Sequence, residues 1–527
     1  MYDVAIVGAG LSGLALAEML ETRGQSVLIL EARGRLGGRI LSETDAASGL
    51  AVDLGPTWFW PHRQALVATL AQRLGIPSFP QRDEGANLSL ADAGKGPERT
   101  PPQHVHDKAH RLTGGMAALI KALAARLSHT DIRLGHVVQA LFDETTHVRL
   151  AWSSGAMSGE TLARRCVLAM PPRLVASLTF SPDLDKAAWS ALRHTPTWMA
   201  TSAKAGTACA NPVWRDEGLS GSAFVTHDQA VLGEIWDACD ATGTQAGLGG
   251  FLSLSPALRR DFATGLPMLI ASQFTQLFGG HLSLGTAFYQ DWADEAFTCA
   301  AADLIDPATD HPPRADNLLR GAHWNDRLHF AGAETSARDP GYLEGALDSA
   351  WRVAQTLHEA DERAELLARP ANAAALASFS QWMATQRAAG FSAYRVALSR
   401  SLMRQAHEQL TQHALLGAVE DSLAQALNRI AELPFDGADA SVTQGRSCLL
   451  PAVQAPFKPF LDGLLADVLE FNAVSCALSN FPDEHKPPRD YMNAIMRDIA
   501  AAWVEFSQNA NDLLLAAHPP SASAGAA

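Results

Sequence analysis

The chain has little of what several large protein classes require. Its 527 residues hold six cysteines, at 166, 209, 239, 299, 448 and 476, a scatter that gives neither a disulfide framework nor the paired spacing of a metal cluster. Positive charge is in deficit. Lys and Arg number 41 against 56 Asp and Glu, for a formal net charge of −15, which speaks against nucleic acid or an anionic membrane as partner. No run of about twenty apolar residues is free of charges, so no membrane span is expected. The first strand begins at Tyr2 or Asp3 and leaves no room for a secretory leader, so a cytoplasmic location is expected. A Ser-His-Asp arrangement is missing as well. With 47% hydrophobic residues the chain is too long for one core and calls for two or three domains.

What is present is concentrated in the first thirty-nine residues. An apolar strand, Val4 to Val7, runs into Gly8-Ala9-Gly10-Leu11-Ser12-Gly13; a helix follows, then a second strand, Val27 to Leu30, that ends on Glu31. Gly8 permits the tight strand-to-helix turn, Gly10 lets the backbone approach a pyrophosphate, and Gly13 lets helix and strand pack closely. Unpaired N–H groups of Leu11, Ser12 and Gly13 at the helix N-terminus face the phosphates, and Glu31 can accept hydrogen bonds from the ribose of an adenosine. Because strand, helix, second strand and acidic residue lie in register, the pattern predicts a dinucleotide site and disfavours a plain βαβ unit.

Directly afterwards come Glu31-Ala32-Arg33, Arg35-Leu36-Gly37-Gly38-Arg39 and Asp53-Leu54-Gly55. A simple NAD site does not require two arginines and a Gly-Gly here, whereas a long FAD needs further backbone donors and cations. This stretch resembles the flavin-containing amine oxidases, the family of the monoamine and polyamine oxidases. The resemblance returns at Leu328-His329-Phe330-Ala331-Gly332-Ala333-Glu334-Thr335 and at Gly341-Tyr342-Leu343-Glu344-Gly345-Ala346, which is similar to the family's second FAD-binding segment. It implies an α/β Rossmann-like FAD-binding domain built discontinuously from 1–79, 111–184 and 292–369. It also implies an α+β substrate-binding domain, an antiparallel sheet plus helices, from 80–110 and 185–291.

Local patterns fill in the elements. Residues Gln81 to His110, rich in Pro, Gly, Asp and Lys, predict loop and short strands. Arg111 to Gly115 opens an amphipathic helix carrying Leu119, Ile120, Leu123 and Leu127; a strand pair, Ile132 to Leu141 and Val148 to Trp152, follows, and Cys166 to Met170 resembles the strand that rejoins the FAD domain. A strand over Met199 to Ala208 and helices around Pro256 to Phe262 and Leu266 to Phe278 are expected in the substrate domain.

The resemblance assigns roles residue by residue. It implies that FAD contacts Gly8, Gly10, Leu11, Ser12, Gly13, Glu31, Ala32, Arg33, Gly37, Gly38, Arg39, Gly55, Pro56, Thr57, Trp58, Gly332, Glu334, Gly341, Tyr342 and Leu343, and that the backbone of Val138 meets the adenine. Lys204 falls where the family carries a lysine bonded through a water to N5 of the flavin, although an edge-strand lysine facing solvent is the plainer account. Tyr342 supplies one of the two tyrosines that frame an amine in monoamine oxidases; counted from Trp292, the second falls at Ala302, which leaves the cage incomplete. The same count places the flavin-attachment cysteine at Ala301, with Cys299 two residues earlier, so FAD is expected to be non-covalent.

Trp58 stands where L-amino-acid oxidases tend to have a carboxylate-binding arginine, and Trp60 where polyamine oxidases often have His or Glu. Free amino acids and polycations are accordingly disfavoured, unless both tryptophans serve packing alone. The activity implied is FAD-dependent oxidation of a small-molecule amine at its C–N bond, by hydride transfer to flavin N5, with molecular oxygen as acceptor. Two other readings are a flavin desaturase or dehydrogenase acting on a C–C bond or heterocycle, and a non-catalytic flavin scaffold that docks a partner.

Beyond Arg369-Pro370 the resemblance stops. Four apolar stripes recur at helical spacing: Tyr394, Leu398, Leu402 and Leu410; Val419, Leu423, Leu427 and Ile430; Leu461, Leu464, Leu465 and Val468; Ile495, Ile499, Trp503 and Phe506. They predict an all-α bundle over 370–517, split by a crossover from Pro434 to Pro459 and followed by a disordered tail, 518–527. His407, Glu408 and His413 read as solvated helix faces, not a metal site. The helical insertion that covers the substrate cavity in larger relatives is here squeezed into Gln81 to His110, so the bundle is expected to cap the cavity; dimerisation through it is the alternative.

Overall fold

Apolar runs punctuated by glycine turns build the N-terminal sheet. The computed structural model describes residues 1–308, 316–405, 408–436, 442–443 and 445–516; His407 and the 518–527 tail lie outside them. The chain divides into two compact units, Met1–Thr356 and Leu357–Ala527.

In the first unit, β1 (Tyr2–Val7), α1 (Leu11–Thr22) and β2 (Val27–Leu30) form the βαβ start. β1 is sandwiched between two parallel neighbours, with Ile6 opposite Ile29 on one side and Val167 on the other. Buried on both faces, such strands are apolar throughout, and Val4, Ala5, Ile6, Leu28 and Ile29 are fully buried. The long Met157–Ala169 strand pairs antiparallel with Val148–Ser154 through its first half and parallel with Leu328–Ala331 through its second. Two distant parts of the sequence thereby join one sheet, nine-stranded among the described residues.

Some boundaries differ from expectation, and glycines explain two of them. The Ile132 to Leu141 run breaks at Gly135, whose φ is +68°. Asp131–Arg133 pairs parallel with β2, while Val137–Asp143 pairs with Val148–Ser154. Gly114 and Gly115 are also left-handed; His110–Leu112 is therefore a short strand, and the helix starts later, at Ala117, and ends at Ala124.

A second sheet, seven-stranded among the described residues, runs in the order Leu284–Asp291, Ala203–Cys209, Ala246–Leu252, Leu232–Asp237, Leu219–Val225, Ala86–Leu90 and Glu98–Thr100. Neighbours are antiparallel except for the pair Leu219–Val225 and Ala86–Leu90. The strand that carries Lys204 begins at Ala203, not Met199, because Met199 takes φ +56° in a turn closed by a Ser202 N–H to Met199 C=O hydrogen bond. Helices Pro256–Asp261 and Leu266–Phe278 lie where the periodicity places them.

The second unit has its own core. Helices Pro370–Met403, Leu410–Glu432, Phe457–Val474 and Arg489–Ala516 bury Phe379, Tyr394, Val419, Leu464, Val468 and Ile495. Leu410 opens the second helix instead of extending the first stripe. There the buried Glu484 carboxylate accepts the N–H groups of Leu410 and Thr411 at 2.7 and 2.8 Å, satisfying donors that a helix start leaves unpaired. No helix of the described residues is long and apolar enough to cross a membrane.

Candidate active site

The first motif is a backbone cradle. Gly8 has φ +107°, and a Cβ there would sit 2.5 Å from the Ala169 carbonyl oxygen. A Cβ on Gly13 would sit 2.0 Å from the Gly8 carbonyl oxygen, so α1 rests against the turn that precedes it. Gly10 differs, because a Cβ there meets nothing within 4 Å. It is the N-cap of α1, no side chain caps that end, and the first-turn N–H groups open onto a cavity of about 510 Å³. Gly37 completes the cradle by donating its N–H to the Ala9 carbonyl at 2.8 Å.

Glu31, at the end of β2, is 3% exposed. Its carboxylate accepts the Ala9 N–H at 2.7 Å and the Arg33 N–H at 2.8 Å, which fixes it on the cavity wall with further lone pairs for ribose hydroxyls. Of the three motif arginines, Arg35 donates to the Leu36 and Ile40 carbonyls at 3.2 and 3.3 Å, and the two that line the cavity are matched by carboxylates. Arg33 binds Glu295 at 2.9 Å and Thr298 at 2.7 Å; Arg39 makes a bidentate pair with Glu334 at 2.6 and 2.9 Å. Phosphate charge is thus left to the helix N-terminus and backbone N–H groups.

The two motif segments are tied directly together. Gly332 N–H lies 3.1 Å from the hydroxyls of both Ser12 and Ser349, which are 3.0 Å from each other. Glu344, fully buried, caps the Ala65–Arg73 helix by accepting the N–H groups of Leu66 and Val67. The sequence motif contains this glutamate, yet its capping task could not be read from it.

Of the residues expected at the cofactor, all line the cavity except Gly13, whose work is the packing described above. Val138 lies on the wall, as do Trp58, Trp60 and Tyr342. Ala302 does not: it is exposed, and its carbonyl accepts from Arg173 at 3.2 Å. The expectation that Ala302 lines the substrate pocket, at the place of the second tyrosine, is corrected. A 3₁₀ turn at Trp292–Asp294 and the Arg33 bonds to Glu295 and Thr298 bring Ala296, Phe297 and Thr298 to the cavity instead. Phe297 therefore supplies an aromatic to the cavity lining, its ring 5.7 Å from the Arg33 guanidinium. Trp198, also missed, lies with its ring 6.1 Å from that of Tyr342; a Cβ on Gly341 would come within 2.6 Å of it.

Lys204 occupies an interior strand, between Phe251 and Gln290 on its two neighbours, and is 4% exposed. The edge-strand account is excluded. Its ammonium donates to the Gly55 carbonyl at 2.6 Å and the Thr57 hydroxyl at 2.7 Å, and lies over the rings of Phe251, Trp236 and Trp58 at 4.5, 5.0 and 5.4 Å. Burial lowers its pKa to about 7, against the opposing pull of Asp53 and Glu234. Trp58 is held in turn by Gln81, which accepts its indole N–H at 2.8 Å, and by His106, stacked at 4.1 Å. Trp60 donates to the Asp107 carbonyl at 3.1 Å. The short 104–109 segment thus supports both tryptophans.

The cradle fits FAD. The uncapped helix start faces open space at Gly10, and Glu31 is poised for ribose. The cavity continues from β2 to the second sheet and is within the usual range for cofactor sites.

Comparison with known proteins agrees. The family model described as flavin containing amine oxidoreductase matches residues 11–111 and 92–358. The flavin-containing amine oxidase B of Homo sapiens is 22% identical over 67% of this chain and 86% of its own length. A putrescine oxidase of Kocuria rosea is 23% identical over 57% and 84%. Among solved structures, a putrescine oxidase bound to putrescine matches with a TM-score of 0.55 at 20% identity, covering 68% of this chain and 99% of its own. Cyclohexylamine oxidase from Brevibacterium oxydans matches with a TM-score of 0.55 at 19% identity over the same shares.

Proposed function

Since the chain belongs to the flavin-containing amine oxidoreductase family, with FAD as its cofactor, we propose that it oxidises the C–N bond of an apolar monoamine and passes the electrons to oxygen. FAD, when bound, would supply the two-electron acceptor for the hydride that leaves the amine carbon. The protein's part is to orient the amine, keep water out and hold a cation beside the reacting centre.

The observation that carries this reading is the wall around Lys204. Trp58, Trp60, Trp198, Met199, Phe251 and Tyr342 line the cavity. The carboxylates on it, Glu31 and Glu334, accept backbone N–H groups and Arg39, and its arginines, Arg33 and Arg39, are paired with Glu295 and Glu334. Among the described lining residues no carboxylate is left to bind the second ammonium of a diamine, and no arginine to bind the carboxylate of an amino acid. Aromatic faces suit an apolar amine instead. Trp198, its ring 6.1 Å from that of Tyr342, takes the place of the missing tyrosine.

Anaerobic mixing of the yellow protein with apolar primary, secondary and cyclic amines, with putrescine and with amino acids tests the substrate class. Bleaching by apolar amines and rapid return of colour in air are expected. Bleaching by the diamine or an amino acid alone would overturn the class, and no bleaching by any amine would favour the desaturase or scaffold reading.

We propose also that FAD is held without a covalent bond. Cys299 is buried off the cavity wall, its thiol donating to the Ala300 carbonyl at 3.6 Å and pushed up to about 11 by burial and neighbouring carboxylates, so thiolate, the nucleophilic form, is scarce near neutrality. Acid denaturation is expected to release all the yellow colour into the supernatant; colour retained on the protein pellet would show attachment. The division of 1–369 into FAD and substrate domains, and self-association through the bundle, stand as proposals of the same kind.

A further inference from the structure

One loop beside the cavity buries a polar side chain against the trend of its own surroundings. From 101 to 108 every residue is exposed except His106, which is 5% exposed. No strand or helix holds this stretch, and His104 and Lys108, on either side of His106, take left-handed backbone with φ of +35° and +60°. A polar ring buried in an exposed loop needs a reason.

Its contacts supply one. The His106 ring is stacked on Trp58 at 4.1 Å with an interplanar angle of 26°, and its Nε2 lies 3.0 Å from the Glu234 carboxylate. Nδ1 is buried without a hydrogen-bond partner, so the polar edge of the ring is attached through Nε2.

Strand register explains why Glu234 is there to meet it. Phe251 stands opposite Lys204 on one side and opposite Glu234 on the other, and directly opposed residues share a face of a sheet. Trp236, two residues past Glu234, shares that face as well. Its ring finds room because Gly249 stands opposite, where a Cβ would come within 2.6 Å of it. Lys204, Phe251, Trp236 and Glu234 thus form one patch on the sheet. Trp58 meets that patch edge to face, 4.8 Å from Trp236 at 67°, with its indole N–H held by Gln81. His106 adds a support on the flat of the ring, reaching from Glu234 to Trp58.

We propose that His106, anchored by Glu234, is a positioning residue that sets the plane of Trp58 and thereby how tightly the cavity holds the apolar part of an amine. Trp58 lines the cavity and His106 does not, so His106 acts through Trp58, on affinity, and leaves the contacts of Lys204 unchanged. The inference rests on the reading of the cavity as an amine site, and its test is built to fail separately from that reading.

The test uses the full-length, FAD-loaded protein and cumylamine (2-phenylpropan-2-amine), an apolar amine with no hydrogen on the carbon that bears nitrogen, which binds without giving up hydride. Its dissociation constant is measured by titration calorimetry in the parent, His106→Ala, His106→Phe, Glu234→Ala and His106→Phe combined with Glu234→Ala. Loss of the ring in His106→Ala is expected to weaken binding by about tenfold, the scale of one aromatic contact. His106→Phe keeps a flat ring that needs no polar anchor and should bind within about threefold of the parent. Glu234→Ala should weaken binding when His106 is present and change it less than about twofold in the His106→Phe background, because the carboxylate acts through the imidazole. With an amine that is oxidised, the limiting rate of flavin reduction should stay within about threefold of the parent while the half-saturating concentration rises, a split that general damage to the fold would not give.

Parent-like binding in His106→Ala, no rescue by phenylalanine, or an equal Glu234→Ala loss in both backgrounds overturns the proposal, as does a parent that does not bind cumylamine. If His106→Ala fails to fold, the two Glu234→Ala comparisons decide. A Glu234→Ala variant that loses limiting rate and keeps affinity assigns Glu234 to Lys204, its neighbour on the sheet face, and overturns the anchor. Should no amine bleach the flavin while cumylamine follows the expected order, amine oxidation falls and the role of His106 stands.

Discussion

Replacing Lys204 with methionine is expected to slow flavin reduction by amine, or reoxidation by oxygen, by about a hundredfold or more, the usual scale for a positioned proton-transfer group. The reason lies in what methionine cannot do. The ammonium is the donor to the Gly55 carbonyl and the Thr57 hydroxyl, and both belong to the Gly55 to Trp58 turn on the cavity wall. Methionine fills the same volume among Phe251, Trp236 and Trp58 without a charge or a donor. Stopped-flow mixing separates the half-reactions; if both keep the parent rates, the role given to Lys204 is wrong.

The same substitution changes how stability depends on pH, and the sign is fixed by the direction of the shift. The unfolded lysine holds its proton up to about 10.5 and the folded one to about 7. Between those values the unfolded chain binds more protons, so this group's contribution to stability rises with pH, and is lost as pH falls toward 7. Lys204→Met should therefore flatten the rise in melting temperature between about pH 7 and pH 10. A parallel curve for the two proteins would show that Lys204 is not buried as an ionisable group.

How much of this was legible in the sequence depended on whether backbone or side chains carried the feature. The Gly8 to Gly13 turn, β2 ending at Glu31 and the second segment at Gly332 are local, and their residue types are dictated by close approach. They read correctly. The position of Ala302 did not, because it came from counting residues past Trp292. The count misses the pull of Arg33 on Glu295 and Thr298, 262 and 265 residues away in sequence, which brings Phe297 to the wall. Phe251 was invisible for a similar reason: it meets Lys204 by strand register, and register between strands more than forty residues apart leaves no trace in either strand alone. The bundle stripes were readable because helical packing repeats every few residues, but the end of the first stripe was not, since Glu484 caps Leu410 from 74 residues away.

The two glycines of the cradle separate folding from cofactor binding, and substituting each by alanine should produce opposite defects. In Gly13→Ala the new methyl would lie 2.0 Å from the Gly8 carbonyl oxygen and 3.3 Å from Ile6. The obstacle is backbone, buried, and part of the turn between β1 and α1, so it cannot swing aside. Overpacking of this kind costs about 1–3 kcal/mol when side chains can adjust, and a fixed backbone puts Gly13→Ala at or above the top of that range. The expected product is poorly folded, with a melting temperature lowered even without flavin. In Gly10→Ala the methyl enters open cavity, with no protein atom within 4 Å, and Gly10 has φ −75°, which alanine adopts freely. The apoprotein should melt at or slightly above the parent's temperature, because alanine lowers the entropy of the unfolded chain. The methyl then stands where a pyrophosphate must approach the backbone. Flavin content after purification should fall at least about tenfold, a loss of roughly 1.4 kcal/mol in binding. Full flavin occupancy in Gly10→Ala would mean that the phosphates do not pass over α1, and the fingerprint would lose its physical meaning in this chain.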